Sequence, residues 1–149
     1  MKQCKADIEM LLEQGQKIQI KPQGYSMYPM FVPGRDEAIL EKADGKRLRK
    51  GDVVLYRREG SILVLHRICK IREGAIYTVG DNQREVEGPL RPEQVRGVLT
   101  GFIRKGKFRS VRNPVYLMAS GLWLFLRPVR PLLAKSAAAL KRLFRRGRK

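Results

Sequence analysis

The sequence contains only two cysteines, Cys4 and Cys69, and a single histidine, and it has no acidic residue after Glu93. Two distant cysteines are too few for a disulfide framework and too scattered for a zinc cluster. No apolar run reaches the ~20 residues with which a helix crosses a bilayer. A polytopic membrane protein is therefore excluded. The N-terminal stretch carries acids among its apolar residues, so we expect no signal peptide there.

The missing acids make the charge of the chain uneven. Its 149 residues hold 32 lysines and arginines against 14 acids, a net charge of +18. Residues 1–103 are nearly balanced, with 18 basic and 14 acidic residues, whereas residues 104–149 carry the other 14 basic residues and no acid. We therefore expect a near-neutral body the size of one domain and a cationic tail that favours a polyanionic partner.

The body is expected to fold as a short helix followed by strands. Ile8, Leu11 and Leu12 recur at helical spacing, and Gly15 suits the end of that helix. Short apolar runs with β-branched residues then alternate with turn residues, which favours a small, mostly antiparallel β architecture. The predicted strands are Ile18–Ile20, Ala38–Leu40, Val53–Tyr56, Ile62–Cys69, Ile76–Val79 and Val95–Ile103. A turn is predicted at Glu87-Gly88-Pro89.

Two residues of the body suit nucleophilic catalysis. Ser26 lies in Gly24-Tyr25-Ser26-Met27-Tyr28-Pro29-Met30, where Gly24 permits close backbone approach and Pro29 stiffens the chain. A nucleophile needs such a rigid turn to present its hydroxyl and to direct its own N–H at a developing oxyanion. His66 lies in the longest strand-like run and would be mostly neutral at pH 7, as a general base must be. Taken singly, a loop serine and a strand histidine bonded to backbone explain these residues as well.

Asp81 is the candidate third member of the set. It follows Tyr77-Thr78-Val79-Gly80 where a predicted strand ends, so a turn-capping role explains it equally well. As a catalytic acid it would orient the imidazole and stabilise its cation without taking the proton. All three residues lie at the ends of, or within, strands that one small β domain could bring together.

Four segments in this order resemble the type I signal peptidases, a group that also includes the self-cleaving LexA-like domains. They are Gly24–Met30, Lys50–Val54, His66–Ile68 and Val79–Asn82. The resemblance implies a serine endopeptidase on a compact coiled antiparallel β fold, to which the pattern adds a short N-terminal helix and C-terminal amphipathic helices. Because histidine occupies the general-base position, the chain resembles the endoplasmic-reticulum, archaeal and sporulation-type branch, which works with Ser, His and Asp.

Carried over to this sequence, the resemblance makes Ser26 the nucleophile, His66 the general base and Asp81 the acid. Some members of that branch carry the acid a few residues later, where this chain has Glu85 and Glu87. The resemblance implies neither a metal nor a cofactor. Its implied substrate is a leader or signal-like peptide, cleaved after small residues.

Gly24 and Met27 are the expected oxyanion and substrate-binding positions. Many signal peptidases carry a serine two residues before the nucleophile, where this chain has Gly24, as LexA-like domains do. The N-terminal membrane anchor of the family is not seen in the pattern. Two alternatives stay open: a catalytically silent domain that binds peptide or protein at a membrane, and a LexA-like self-cleaving regulator.

The tail is expected to begin a separate unit, which divides the chain into a peptidase-like domain at 1–110 and a helical tail at 111–149. Its apolar run at 115–126 is too short to span a bilayer. Apolar residues then recur at helical spacing among basic ones, the pattern of an interfacial helix with Trp123 as an anchor. We expect peripheral association with an anionic membrane surface on the cytoplasmic side. Packing on the body or a partner is the alternative, and nucleic acid is disfavoured.

Overall fold

The computed structural model describes residues 3–58 and 62–146. Within those ranges the elements are α1 (Gln3–Glu13), β1 (Ile18–Ile20), β2 (Asp36–Lys42), β3 (Val53–Arg57), β4 (Leu63–Arg72), β5 (Ala75–Val79), β6 (Glu87–Leu90), β7 (Val95–Arg104), β8 (Lys107–Ser110), α2 (Pro114–Phe125) and α3 (Arg130–Arg146). The mostly β architecture with a short N-terminal helix and C-terminal helices is therefore confirmed.

The strands form one antiparallel sheet in the order β1-β2-β7-β3-β4-β5-β6, with β8 beside β7. Each strand predicted from the sequence is present, but the turn predicted at Glu87-Gly88-Pro89 is wrong. That segment belongs to β6, because its backbone pairs with β5 at Thr78–Glu87 and Ile76–Leu90. This pairing brings the Glu87 side chain to the edge of the sheet next to β5.

Strand β3 is buried on both faces and separates two apolar clusters. Val53 and Leu55 belong to a first cluster, together with Met27 and Phe31 of the β1–β2 loop. Val54 and Tyr56 belong to a second cluster. Register shifts in several strand pairs accompany this arrangement, because a bulge bends a strand and increases its twist.

The pairing of β3 with β4 sends two consecutive residues to opposite faces of the sheet. His66 pairs with Val54 and therefore lies on the face of the second cluster. Arg67 pairs with Val53 and lies on the face of the first cluster. The two chemically distinctive residues of this strand consequently have different surroundings.

The C-terminal segment begins at a capped helix and contacts the body. The Asn113 side chain accepts a hydrogen bond from the Val115 N–H at 2.9 Å, and Pro114 occupies the first turn of α2. Tyr116 packs against the first cluster, with its ring centroid 5.5 Å from that of Phe102. Residues 147–149 of the predicted tail lie outside the described residues, and the division of the chain at 110/111 stays a prediction.

Helix α3 extends from this docked helix with nearly all of its side chains exposed. Among the described residues, no helix is both long enough and apolar enough to cross a membrane.

Candidate active site

The loop that carries Ser26 joins β1 to β2 and is fixed to the body by its apolar side chains. Met27 and Phe31 are almost completely buried in the first cluster. Gly24 has a φ of 74°, a left-handed conformation that side chains with a Cβ rarely adopt. Ser26 is half-buried between these fixed points, while the rings of its neighbours Tyr25 and Tyr28 are exposed. Because the Met27 side chain is in the core, only its backbone is available to the site.

The backbone of the serine loop is bonded to the turn that follows β5. The Asn82 N–H donates to the Ser26 carbonyl at 2.8 Å. A Cβ built on Gly80 would lie 2.7 Å from that same oxygen, so the approach requires glycine at this position.

This turn also relates the serine loop to the strand that carries His66. It directly follows β5, whose Val79 pairs with Arg67, the neighbour of His66 on β4. The serine loop is therefore attached beside the end of this strand pair, while its Met27 and Phe31 side chains lie in the first cluster.

His66 itself is buried, with 2% of its surface exposed. Burial lowers the pKa of His66 below its ordinary value, and the nearby positive charge of Arg58 adds to this effect. The carboxylates of Glu87 and Asp81 act in the opposite direction without reversing it. The imidazole is therefore neutral at pH 7, the state that a general base requires. Its Nε2 makes no hydrogen bond to any residue in the described ranges.

The Nδ1 side of His66 faces a tyrosine and a glutamate. Tyr56 Oη lies 3.2 Å from His66 Nδ1 and donates its proton to Glu87 Oε2 at 2.7 Å. Glu87 Oε1 lies 3.8 Å from the same Nδ1, within ion-pair range but beyond hydrogen-bonding distance. Partial burial alone would raise the pKa of Glu87, but hydrogen bonds from Arg58 and Tyr56 outweigh it and hold that pKa below its usual value.

Asp81 has a different partner. Its two carboxylate oxygens accept hydrogen bonds from Arg67 Nε and Nη2, each at 2.8 Å, and both side chains are fully buried. The remaining guanidinium nitrogen of Arg67, Nη1, donates to the Gly51 carbonyl at 2.9 Å and to Tyr116 Oη at 3.3 Å. Of the three acids considered from the sequence, Glu87 is the one that the structure brings beside His66 Nδ1. Glu85 is exposed.

Two residues of the C-terminal segment contact the turn that carries Asp81. The sequence did not predict these contacts. Trp123 Nε1 donates to the Asp81 carbonyl at 2.8 Å, and Arg130 Nη1 donates to it at 2.6 Å. The Arg130 guanidinium also lies 4.3 Å from the centre of the Trp123 ring, a cation–π contact. The expected role of Trp123 as a membrane anchor stays untested, but its indole N–H is bonded to the body. An apolar run of sequence contains no signal for such a polar partner.

Two backbone donors lie next to the serine hydroxyl. Among the described residues, the N–H groups of Ser26 and Met27 donate no hydrogen bond. Unpaired N–H groups at a nucleophile are the usual components of an oxyanion hole. Gly24, the other expected oxyanion position, contributes the turn conformation described above.

Comparison with known proteins gives one match of note. Signal peptidase I W of Bacillus subtilis (strain 168) is 35% identical over 82 residues, which cover 52% of this chain and 43% of that protein. The chain therefore aligns with less than half the length of this relative. No protein-family model matches the chain. No solved structure matches it either. The similarity supports a distant relationship to signal peptidases.

Within the described residues, no cluster of three or more histidine, cysteine, aspartate or glutamate side chains could hold a metal ion. Cys69 is a free, half-buried thiol whose Sγ donates to the Tyr77 carbonyl at 3.4 Å, and burial raises its pKa. It carries none of the geometry described for Ser26.

The pairing of Asp81 predicts that its replacement affects stability first. Asp81→Asn leaves the buried Arg67 charge without its counterion, and we expect the free energy of unfolding to fall by about 3 kcal/mol. Urea denaturation followed by circular dichroism measures this loss. Glu13→Gln, which breaks the exposed pair with Lys42, is the control and should cost less than about 1 kcal/mol. An Asp81→Asn protein as stable as wild type would contradict the structural role.

Proposed function

We propose that this chain is a serine endopeptidase of the signal-peptidase type. The observation that carries the proposal is the attachment of the Ser26 loop to the turn after β5, the strand that pairs with the strand of a buried, neutral His66. Two unpaired backbone N–H groups beside the serine and the partial similarity to a signal peptidase support it. In this proposal Ser26 is the nucleophile, His66 the general base and Glu87 the acid. Glu87 replaces Asp81 in the acid role because Arg67 occupies both oxygens of Asp81.

The proposed reaction is acyl transfer in two steps. His66 Nε2 removes the proton of the Ser26 hydroxyl as Oγ attacks a peptide carbonyl, and the N–H groups of Ser26 and Met27 stabilise the oxyanion. His66 then returns the proton to the leaving amine, which departs as the acyl-enzyme forms. A water molecule, activated by the same imidazole, hydrolyses the ester and releases the second product. The ionised Glu87 stabilises the imidazolium that forms in each step.

The proposed substrate is an extended peptide with small side chains before the scissile bond. Among the described strands, β1 pairs with β2 alone and leads directly into the Ser26 loop, so its outer edge is available for an added strand. A peptide paired there would run toward the serine. The small-residue preference and the leader-like nature of the substrate come from the resemblance to signal peptidases.

Removal of the nucleophile tests the enzyme proposal. Wild type and Ser26→Ala are incubated with a library of peptides that have small residues before the bond, and products are identified by mass spectrometry. Wild type should cleave a subset, and Ser26→Ala should lose at least about 10⁴-fold in rate. Ser136→Ala, on exposed α3, is the control and should match wild type. If wild type cleaves nothing and a serine-directed fluorophosphonate leaves Ser26 unlabelled, a silent peptide-binding domain replaces the proposal.

Glu87→Gln tests the acid assignment in the same assay. Loss of the carboxylate removes the charge that stabilises the imidazolium, and we expect kcat/KM to fall about 100-fold. In wild type the acid limb of the pH profile should lie below the ordinary histidine pKa of 6.5, because burial disfavours the charged imidazole. Since Glu87 raises the pKa of His66, its removal should move that limb to still lower pH.

Glu85→Gln is the matched control for that prediction, because Glu85 is an exposed glutamate two residues earlier on the chain. It should leave both the rate and the pH limb unchanged. Equal loss in the two variants, or no loss in Glu87→Gln, would remove Glu87 from the mechanism.

We also propose that the C-terminal helices attach the protein peripherally to an anionic membrane surface. The leucine and phenylalanine residues of α3 fall within an arc of about 120° at 100° per residue. They are largely exposed, notably Leu132, Leu133, Leu140, Leu143 and Phe144. The five basic side chains described on α3 lie outside this arc: Arg130, Lys135, Lys141, Arg142 and Arg145. A helix with separate apolar and basic faces suits the boundary of an anionic bilayer.

The outer face of α2 is also apolar and exposed. Val115, Met118, Leu122 and Phe125 follow one another at spacings of three and four residues, and each has more than half of its surface exposed. Two copies of the chain would bring two strongly cationic tails together, which disfavours self-association through this face. The membrane surface would then lie on the far side of α2 from Trp123.

Vesicle flotation tests the membrane proposal. Full-length wild type should float with vesicles of phosphatidylcholine and phosphatidylglycerol and stay in solution with phosphatidylcholine alone. Leu140→Asp/Phe144→Asp places two charges in the exposed apolar arc and should lower binding at least about tenfold. Ile62→Asp/Ile71→Asp makes the same charge change at exposed positions of the body and is the control. Equal flotation of all three proteins, or none of wild type, would contradict the proposal.

A further inference from the structure

Tyr56 lies at the centre of a small polar cluster in an otherwise apolar region. Its side chain is fully buried on β3, in the second apolar cluster. Three polar groups surround its hydroxyl oxygen: Thr78 Oγ1 at 3.1 Å, His66 Nδ1 at 3.2 Å and Glu87 Oε2 at 2.7 Å. They come from β5, β4 and β6, so the phenol joins four adjacent strands of the sheet through one oxygen.

The hydroxyl has one proton to donate, and the geometry determines where it goes. The Glu87 carboxylate is an ionised acceptor at the shortest distance, and charge-assisted hydrogen bonds are the stronger ones. Burial raises the pKa of Tyr56, so the phenol stays protonated at neutral pH. The lone pairs of its oxygen are then left to accept hydrogen bonds. Thr78 donates one of them through its hydroxyl.

The other group facing those lone pairs is His66 Nδ1, and two acceptors cannot bond to each other. In the neutral imidazole one ring nitrogen carries a proton and the other carries a lone pair. A contact of 3.2 Å between Nδ1 and an oxygen whose proton is already given to Glu87 requires the proton on Nδ1. The lone pair is then on Nε2.

We infer that Tyr56 is a positioning residue that holds His66 in the Nδ1–H tautomer. Its hydroxyl donates its proton to Glu87 and therefore can only accept a hydrogen bond from the imidazole. The chain of donors runs from His66 Nδ1–H to Tyr56 Oη and from Tyr56 Oη–H to Glu87. Glu87 cannot set the tautomer by itself, because its oxygen is 3.8 Å from Nδ1.

The catalytic consequence rests on the proposed function, whereas the tautomer does not. A general base for Ser26 needs its lone pair on Nε2, and this tautomer provides it without any prior proton shift. When Nε2 takes the serine proton, Nδ1–H stays bonded to Tyr56 and the charge of the imidazolium is opposed by Glu87. The tyrosine therefore acts through the histidine and does not touch the substrate.

The single histidine of the chain makes the tautomer directly measurable. Full-length protein labelled with ¹⁵N-histidine gives one pair of imidazole nitrogens in a long-range ¹H–¹⁵N correlation spectrum at pH 8. Wild type should show a protonated Nδ1 and an unprotonated Nε2. Tyr56→Phe removes only the hydroxyl and should convert most of the signal to the Nε2–H tautomer, which a histidine side chain favours in water.

Thr78→Val is the matched control. Thr78 is as deeply buried as Tyr56 and bonds to the same oxygen, but it is not in the chain of donors between His66 and Glu87. Its spectrum should keep the wild-type tautomer. An Nε2–H signal in wild type overturns the proposal, and so does an unchanged Nδ1–H signal in a folded Tyr56→Phe protein. If Tyr56→Phe does not fold, the wild-type spectrum alone still tests the tautomer.

Kinetics on any peptide that wild type cleaves complete the test. Tyr56→Phe should lower kcat at least tenfold and leave KM within twofold, because the substrate contacts are unchanged. Thr78→Val should retain both parameters. If no peptide is cleaved by wild type but the spectra behave as expected, the peptidase proposal fails and the assignment of Tyr56 stands. A rise in KM with kcat unchanged in Tyr56→Phe would contradict a positioning role.

Discussion

Arg67 and Asp81 are both removed from water, and two buried charges are tolerated only when each is fully bonded. All three guanidinium nitrogens of Arg67 donate hydrogen bonds, and their acceptors are Asp81, the Gly51 carbonyl and Tyr116. The turn that carries Asp81 is thereby held against β4. The serine loop bonds to that turn through Asn82, and α2 bonds to it through Trp123. Loop, turn, strand and helix consequently share one point of attachment.

The alternation of side chains along β4 places a structural residue, Arg67, and the proposed general base, His66, on opposite faces of the sheet. Arg67 faces the first cluster and holds the fold, while His66 faces the second, and its Nε2 has no hydrogen-bond partner in the part of the chain that the structure describes. A buried imidazole would ordinarily be a weak point, because it must remain neutral and still be bonded. Tyr56 and Glu87 meet both demands on one side of the ring, and in the proposed mechanism the other side faces Ser26. Neighbouring residues of one strand thus divide the two tasks between the faces of the sheet.

Much of the fold follows from the sequence, because period-two apolar runs separated by turn residues have few other solutions. Ser26 and His66 stood out for their residue type and context. The position of Glu87 beside His66 did not, because it depends on the pairing of β6 with β5, and Glu87-Gly88-Pro89 has the composition of a turn. The role of Tyr56 could not be predicted, because a tyrosine in an apolar strand is expected simply to pack in the core. The same holds for Trp123, because a single indole N–H has no local partner in sequence.

The attachment of α2 to the turn has a consequence for how the C-terminal segment can vary. The two sides of this helix are under different constraints. Residues on its inner side complete the surroundings of Asp81 and are restricted by hydrogen-bond geometry, whereas those on its outer side need only stay apolar. Among homologous chains, the two faces of α2 should therefore vary differently. Tyr116 and Trp123 on the inner face should be kept, whereas the residues opposite them should exchange freely with other apolar residues. The sequence of α2 would then be under two separate constraints, one on each face of the helix.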